Sequence, residues 1–220
     1  MDKIRRIHAD IVKQGLLEED IRNALIDAYS RCGYITEAQK LFEDLLTCNA
    51  SSWNTLIAGY AKFGMLGKAR EVLKGLPARD AVSWNALIAG YAQQGQGDQA
   101  LDCFEKMQRD GLLPNDITFT CVLKACGITN AINQGIQIHD EIANRGLLEK
   151  NIILGNALVD MYAKCGVLAK ARQVLEELPV RDIISWSSLI SGYAQDGKSH
   201  EAIHCFVEMQ REGFCADEVT

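Results

Sequence analysis

The sequence predicts an all-α fold, a superhelical solenoid built from stacked antiparallel helical hairpins. The tripeptide Ser-Trp-Asn at 52–54 recurs 31 residues later at 83–85, and Ser-Trp-Ser follows at 185–187. Each copy continues through Leu-Ile to Gly-Tyr-Ala. Apolar residues within each copy recur at helical spacing, and a glycine follows the run. An internal period of roughly 20–50 residues indicates stacked units rather than one globular core.

The repeat predicts one array over residues 1–220. With the tryptophan at position 4, six units follow one another: 19–49, 50–80, 81–115, 116–151, 152–182 and 183–217. Their lengths are 31, 31, 35, 36, 31 and 35 residues. We expect residues 1–18 to be the end of a preceding unit and 218–220 to be the start of a truncated one.

Each unit contains two helical patterns, which are clearest in 81–115. The first helix is predicted from about Ser83 to Gln94, because apolar residues there follow i, i+3, i+4 and i+7 spacing. The second is predicted from about Asp98 to Asp110. Position 15, between the two helices, is glycine in five units and asparagine in 116–151, and both residue types tolerate the positive φ of a tight turn. One hairpin cannot bury both apolar faces, whereas stacked neighbours can.

Composition argues against several classes of protein. The net charge of −6 disfavours a generic basic nucleic-acid surface, although it leaves room for a local basic track. No run of about 18 apolar residues is available to span a membrane. The eight cysteines include no Cys-x-x-Cys pair, and several share repeat positions, so we expect reduced core thiols. Met1-Asp2-Lys3 does not match a signal or transit peptide, so we expect that any targeting segment was removed or lies outside this sequence.

Catalytic and metal motifs are weak. His139-Asp140-Glu141 fits the H-x-E of zinc deaminases, but the matching P-C-x-x-C is missing, and His8 is the repeat equivalent of His139. His200 and His204 are spaced i, i+4 without an evident third ligand. Phosphate-loop and nucleophile-elbow motifs are also missing. We therefore predict no enzyme activity, cofactor, metal or small-molecule substrate.

The recurring pattern V-x-S/T-W/Y-N-x-L-I-x-G-Y-x-x-x-G…A…F…M…G…P-N/D resembles the pentatricopeptide repeat family, which implies a right-handed superhelix. The alternating lengths resemble its plant PLS subclass. In that scheme 81–115 and 183–217 are similar to P units, 116–151 to an L unit, 19–49, 50–80 and 152–182 to S units, and 1–18 to the end of an L unit. Departures are the two consecutive short units, Ala216 in place of proline, and Asn130 at position 15.

The resemblance implies that each unit reads one base of single-stranded RNA. Position 5 and the last residue of the unit read the base edge, and position 2 is an apolar wedge beside the base. The base-reading pairs are Asn23/Asn49, Asn54/Asp80, Asn85/Asn115, Thr120/Asn151, Asn156/Asp182 and Ser187/Asp217. The wedges are Val82, Ile117, Ile153 and Ile184, while Asp20 and Ser51 weaken the wedge in the first two units.

Two structural interpretations compete with this assignment. Asn and Asp near helix starts are common N-caps, although capping alone would not hold position 5 to Asn in four of six units. Position 13 is basic in the three short units, as Arg31, Lys62 and Lys164. The resemblance places these cations near RNA phosphates, but a cation in the last helical turn also complements the helix dipole.

The resemblance therefore implies a sequence-selective RNA-binding scaffold, part of an RNA-editing or RNA-processing factor of the mitochondrion or chloroplast. An editing partner protein on the L unit is a further expectation. The family code predicts the sequence 5′-Y-U-Y-A-U-G. The alternative is a tetratricopeptide-like scaffold that binds a peptide, because Trp84, Leu87 and Tyr91 also match that family. The 31/35/36 alternation favours the first interpretation, since tetratricopeptide units hold to 34 residues.

Overall fold

The computed structural model of the chain describes residues 2–43, 50–149 and 151–215, with the side chains of Asp2 and Glu19 left out. These ranges contain helices and turns and no strand, which confirms the all-α repeat prediction. The helices are α1 (Asp2–Lys13), α2 (Glu19–Arg31), α3 (Ile35–Glu43), α4 (Ala50–Lys62), α5 (Leu66–Gly75), α6 (Ala81–Gln93), α7 (Gly97–Arg109), α8 (Asp116–Thr129), α9 (Ile132–Asn144), α10 (Ile152–Lys164), α11 (Leu168–Glu177), α12 (Ile183–Gln195) and α13 (Ser199–Arg211).

The helices cluster into two compact units, Met1–Gln94 and Gly95–Thr220. In the first, α2, α4 and α6 pack successively against one another, and α3 and α5 pack on the helices that flank them. In the second, α8, α10 and α12 form the corresponding row, with α7, α9, α11 and α13 beside it. Within each compact unit, each first helix therefore contacts the first helix of the next hairpin, as stacked repeats require.

The hairpin turns have left-handed backbone conformations at position 15. Gly64 has φ +72°, and the other glycines at this position also have positive φ. Asn130, with φ +55° and ψ +33°, is the one non-glycine residue with positive φ among the described residues. The tight turn expected from glycine and asparagine is thus present in the chain.

The glycine of the Gly-Tyr-Ala motif allows first helices to approach closely. A Cβ added at Gly90 would lie 2.6 Å from Ala61 Cβ, and one at Gly192 would lie 2.8 Å from Ala163 Cβ. In the pair α8 and α10, the motif glycine of α10 is replaced by Met161. The small residue is instead Gly127 of α8, and a Cβ built on it would lie 3.6 Å from the Met161 Cα. The glycine of the repeat motif therefore lies where two successive first helices pack closely.

Seven of the eight cysteines lie in the described ranges, and none of these seven forms a disulfide. Cys103 and Cys205 are buried, as expected for core residues. Cys32 is exposed, so the core prediction is wrong for this residue. Its repeat equivalent Cys165 is partly covered because its Sγ lies 3.7 Å from the carbonyl oxygen of Cys126 in the preceding hairpin. No first helix precedes α2 in the described ranges to cover Cys32 in the same way.

The described residues include neither a candidate membrane-spanning helix nor a metal-binding cluster. None of the helices is both long and apolar enough to cross a membrane. No group of three or more His, Cys, Asp or Glu side chains is placed to hold a metal ion in the described ranges. His139 Nδ1 instead lies 3.0 Å from the Tyr162 hydroxyl, and His8 Nδ1 lies 3.0 Å from the Tyr29 hydroxyl. This matching geometry supports an architectural role for both histidines.

Candidate nucleic-acid interface

The last residue of a unit caps the first helix of the next unit at four described positions. Asp80 Oδ1 accepts a hydrogen bond from the Ser83 backbone N–H at 2.8 Å. The same bond joins Asn115 to Thr118, Asn151 to Ile153, and Asp182 to Ser185, each at 3.0 Å. Side-chain caps of this kind contribute about 0.5–2 kcal/mol to helix stability. The capping interpretation is therefore correct for these last residues.

Position 5 has a different role, because its side chain lies inside the helix rather than at the cap. Asn54 Nδ2 donates to Asp80 Oδ2 at 3.1 Å, and Asn156 Nδ2 donates to Asp182 Oδ2 at 2.9 Å. In both aspartates Oδ1 accepts the cap bond and Oδ2 accepts from the asparagine, and Asn54 Nδ2 also lies 3.4 Å from Asp80 Oδ1. The structure therefore brings position 5 and the last residue together in 50–80 and 152–182.

The other position-5 side chains have different partners. Thr120 Oγ1 donates to the Asp116 carbonyl oxygen at 2.8 Å, and Ser187 Oγ donates to the Ile183 carbonyl oxygen at 2.7 Å. Asn23 Oδ1 accepts from Ser52 Oγ at 2.5 Å. Asn85 is buried. The structure thus shows no hydrogen bond between Thr120 and Asn151.

Three of the predicted base-reading pairs are either half described or divided between the two compact units. Asn49 and Asp217 lie outside the described residues, which leaves the pairs of 19–49 and 183–217 half described. Asn85 and Asn115 belong to different compact units.

The carboxylate of Asp80 has an altered pKa. Burial acts to raise the pKa, but hydrogen bonds outweigh it: the Ser83 backbone N–H, the Asn54 amide and the Ser83 hydroxyl together lower the pKa of Asp80. Asp80 is therefore held ionised as an acceptor. An ionised carboxylate accepts but does not donate, so the donor in this pair is Asn54.

The four apolar residues at position 2 are exposed to nearly the same extent. The exposed fraction is 59% for Val82, 60% for Ile117, 60% for Ile153 and 59% for Ile184. Asp20 and Ser51, which occupy this position in the first two units, are also exposed. A large aliphatic residue that is repeatedly left in solvent at one repeat position contributes little to the core, so its recurrence indicates a surface contact.

An open groove in the first compact unit is lined by five of the residues singled out from the sequence. They are Asn54, the position-2 residues Ser51 and Val82, and the position-13 cations Arg31 and Lys62. The groove is also lined by Asp27, Ser30, Thr55, Ala58 and Gly59, so it holds one carboxylate beside its two cations. A polar base-edge residue, an apolar flank and two cations therefore share one concave surface.

The position-13 cations already have neighbours on their own helices. Arg31 Nε lies 2.9 Å from Asp27 Oδ2, and Lys164 Nζ lies 2.7 Å from Asp160 Oδ2. Lys62 Nζ lies 5.7 Å from the centre of the Phe63 ring. Exposed i, i+4 ion pairs contribute only about 0.3–0.5 kcal/mol, so a phosphate can compete for these cations.

Sequence reasoning missed two features of this surface. The serine or threonine three residues after the cap completes a capping box at Ser83, Thr118 and Ser185. The Asp-x-x-Ser and Asn-x-x-Thr spacing would have identified it. The second feature is Asp116, whose carboxylate accepts from Asn151 Nδ2 at 2.8 Å. Its signal is an acidic residue at position 1, where the four units starting at 50, 81, 152 and 183 have alanine or isoleucine.

Similarity to solved structures agrees with the fold. The maize pentatricopeptide repeat protein PPR10, in complex with an 18-nt psaJ RNA element, matches with a TM-score of 0.61 and 23% identity over 99% of this chain and 39% of that chain. The PPR domain of Arabidopsis thaliana protein-only RNase P 1, in complex with tRNA, matches with a TM-score of 0.52 and 14% identity over 91% of this chain and 93% of that domain.

Curated relatives extend the similarity to sequence. The Arabidopsis thaliana pentatricopeptide repeat-containing protein At2g13600 is 48% identical over 99% of this chain and 31% of its own length. The mitochondrial pentatricopeptide repeat-containing protein At2g03880 of the same plant is 34% identical over 100% of this chain and 30% of its own length. The chain therefore spans about a third of the length of these relatives.

Family models cover most of the sequence. A model of the PPR repeat family matches residues 79–127, and the PPR repeat model matches 21–49, 51–79, 156–183 and 184–214. These matches favour pentatricopeptide over tetratricopeptide repeats. The chain belongs to the pentatricopeptide repeat family.

Proposed function

We propose that this chain binds single-stranded RNA sequence-selectively, with one base per hairpin and without catalysis of its own. The base edge meets position 5 and the last residue of each unit. The aliphatic residue at position 2 lies against the face of the base. The cations at position 13 attract the phosphates.

The observation that carries the proposal is the repeated Asn–Asp hydrogen bond beside an exposed aliphatic residue. Capping explains why Asp80 and Asp182 are acidic, but it does not require an asparagine 26 residues earlier, in the first helix of the same hairpin. Folding also does not require Val82, Ile153 and Ile184 to remain about 59–60% exposed. A base that needs both an edge contact and a face contact accounts for the two features together.

The asparagine amides leave an unused acceptor. Their nitrogens are directed to the aspartates, and the Oδ1 atoms of Asn54 and Asn156 are buried without a hydrogen-bond partner among the described residues. A buried unsatisfied polar group costs about 1–3 kcal/mol. If the amide turns toward the groove on binding, this oxygen can accept from a base N–H and the cost is removed. Such a contact would give Asn/Asp units the preference for uracil that the family code implies.

The net charge of −6 is compatible with this function because the relevant charge is local. Arg31 and Lys62 line the same groove as Asn54. A track of so few cations predicts modest affinity that falls as salt rises.

The biological setting that we propose is an organellar RNA-editing or RNA-processing factor of the PLS subclass. The 31/35/36 alternation supports the subclass, with units assigned as in the sequence analysis. Relatives named mitochondrial and chloroplastic support the compartment. Because the chain spans about a third of such relatives, catalysis would come from another part of the protein or from a partner that binds the L unit.

The test is a pair of substitutions, Asn54→Thr and Asn156→Thr, assayed on the oligonucleotide 5′-Y-U-Y-A-U-G with each matching base varied in turn. Each leaves a Thr/Asp pair, which the family code assigns to G. Preference at the matching base should shift from U toward G by about tenfold, because hydrogen bonds worth about 1 kcal/mol each are lost and gained. The shift should be smaller for Asn54→Thr, since Ser51 is a poor wedge compared with Ile153.

The matched control is Thr36→Ala, at an exposed position of α3 that does not line the groove, which should leave base preference unchanged. Folded protein in which both threonine variants keep the original preference would contradict base reading. Binding of a peptide library with no binding of pooled single-stranded RNA would favour the peptide scaffold instead.

A further inference from the structure

The hairpin 116–151 has a different hydrogen-bond arrangement at its predicted base-reading edge. Asn151 Oδ1 accepts from the backbone N–H of Ile153 at 3.0 Å and of Leu154 at 3.4 Å. These two bonds orient the amide, so that its nitrogen donates to Asp116 Oδ2 at 2.8 Å. The last residue of this unit is therefore joined to position 1, one helical turn before position 5.

Thr120, the position-5 residue of the same unit, is directed elsewhere. Its hydroxyl donates to the Asp116 backbone carbonyl at 2.8 Å, the usual back-bond of a helical threonine. The hydroxyl has one proton, so while that bond lasts Thr120 has no donor for a base.

The carboxylate at position 1 distinguishes this unit from four others. Position 1 is alanine in 50–80 and 81–115 and isoleucine in 152–182 and 183–217. In 50–80 and 152–182 the last residue bonds to position 5 instead. The difference in partner therefore accompanies sequence differences at position 1, position 5 and the last position, where 116–151 has Asp116, Thr120 and Asn151.

From this geometry we propose that Asp116, rather than Thr120, determines base choice in the hairpin 116–151 together with Asn151. The inference rests on the RNA-binding function proposed above. Asn151 engages only one oxygen of Asp116, Oδ2, and the amide retains a second N–H. The pair thus offers a base one anionic acceptor and one donor.

This combination selects bases that have an exocyclic amino group. Adenine and cytosine each present an amino donor next to a ring-nitrogen acceptor, and guanine presents two adjacent donors. Uracil also presents a donor beside an acceptor, but its one N–H lies between two carbonyl oxygens. These repel the anionic oxygen of Asp116 more than the neutral amide oxygen that Asn54 and Asn156 offer. We therefore expect this hairpin to discriminate against U, whereas the Asn/Asp hairpins favour U.

The experiment measures RNA binding by the full chain with four oligonucleotides that differ only at the base matched to 116–151. Asp116→Ala should relieve the discrimination against U by about fivefold, the equivalent of one net hydrogen bond. Asp116→Asn should relieve it by less, because one acceptor remains without the charge. Thr120→Val, which removes the hydroxyl and keeps the side-chain shape, should leave preference within about twofold.

The matched control is Ile152→Ala, at position 1 of the next hairpin, which should leave preference at its own base within about twofold. Asn156→Thr in that hairpin shows that the assay detects base reading at position 5. Helical circular dichroism confirms that each variant is folded, and if Asp116→Ala is unfolded, the comparison is made with Asp116→Asn.

The outcomes separate this inference from the proposed function. A shift caused by Thr120→Val, with none caused by either Asp116 variant, would overturn the role of Asp116 while RNA binding stands. Failure of the unsubstituted chain to bind any of the oligonucleotides would overturn both.

Discussion

The hairpins 116–151 and 152–182, neighbours in the second compact unit, use the same helical framework to present different chemistry. In 152–182 the amide of Asn156 holds the Asp182 carboxylate at 2.9 Å. In 116–151 the Asn151 amide is the donor, Asp116 is the acceptor, and Thr120 is directed to the backbone. Side-chain identity at position 1, position 5 and the last position therefore decides which partners meet, while the backbone repeats.

The interiors of the two hairpins differ as well, at position 4. Phe119 is fully buried in 116–151, and the Arg145 guanidinium lies 5.2 Å from the centre of its ring. Gly155 holds this position in 152–182, and a Cβ there would lie 2.5 Å from Leu178 Cδ2. Leu178 thus occupies the space beside Gly155.

The largest expected effect is on this core. Phe119→Ala should cost about 3–5 kcal/mol of stability, because it leaves a cavity and removes the ring beneath Arg145. Gly155→Ala should cost about 1–3 kcal/mol through overpacking against Leu178. Urea unfolding followed by circular dichroism measures both. A Gly155→Ala variant more destabilised than Phe119→Ala would show that Leu178 cannot move aside.

The second prediction compares the two caps. Asp182→Ala removes the cap of α12 and leaves the buried Asn156 amide unpaired, so the cost should be about 2 kcal/mol. Asn151→Ala removes the cap of α10 but leaves Asp116 accessible to solvent, so the cost should be about 1 kcal/mol. Equal losses of stability in urea unfolding would mean that the Asn156–Asp182 bond adds nothing beyond capping.

The third prediction concerns pH at the junction of these hairpins, where His139 of α9 meets Tyr162 of α10. Burial lowers the pKa of His139, and Lys170 acts in the same direction, against Asp140 and Glu177. The unfolded chain then binds the proton more readily than the folded chain, so stability should fall as pH drops below the ordinary histidine pKa of about 6.5.

The substitution His139→Gln tests whether His139 causes this pH dependence of stability. Its urea midpoint should change less than that of the unsubstituted chain between pH 7 and pH 5, and a His200→Gln control on the exposed start of α13 should behave like the unsubstituted chain. The same pH dependence in His139→Gln would assign the effect to other groups.

The smallest effect is expected at position 13, where Lys164 in one hairpin corresponds to Ile128 in the other. Lys164→Ala removes an exposed i, i+4 ion pair with Asp160, worth about 0.3–0.5 kcal/mol. If Lys164 contacts a phosphate, the slope of log affinity against log salt should also decrease by about 1. Ile128→Ala should leave that slope unchanged. An unchanged slope in Lys164→Ala would mean that Lys164 pairs with Asp160 on its own helix and does not contact a phosphate.

Much of the fold was predictable because it depends on local rules that repeat. The spacing of Trp84, Leu87 and Tyr91 predicts a helix face, and that helix is present as α6. Asn130 at the glycine position predicts a left-handed turn, and its φ is +55°. The exposure of Cys32 was missed because burial depends on what packs outside the repeat, which a position shared with Cys165 does not reveal.

The sequence by itself determined the helices, the turns, the repeat period and which residues recur at each position, because these depend on neighbours three or four residues apart. Only the tertiary structure decided the partners of the polar side chains. Asn54 donates a hydrogen bond to Asp80, 26 residues away, whereas Asn151 donates one to Asp116, 35 residues away. Hydrogen bonds form at about 3 Å, so their choice depends on how adjacent hairpins stack and which side chains that stacking brings within reach.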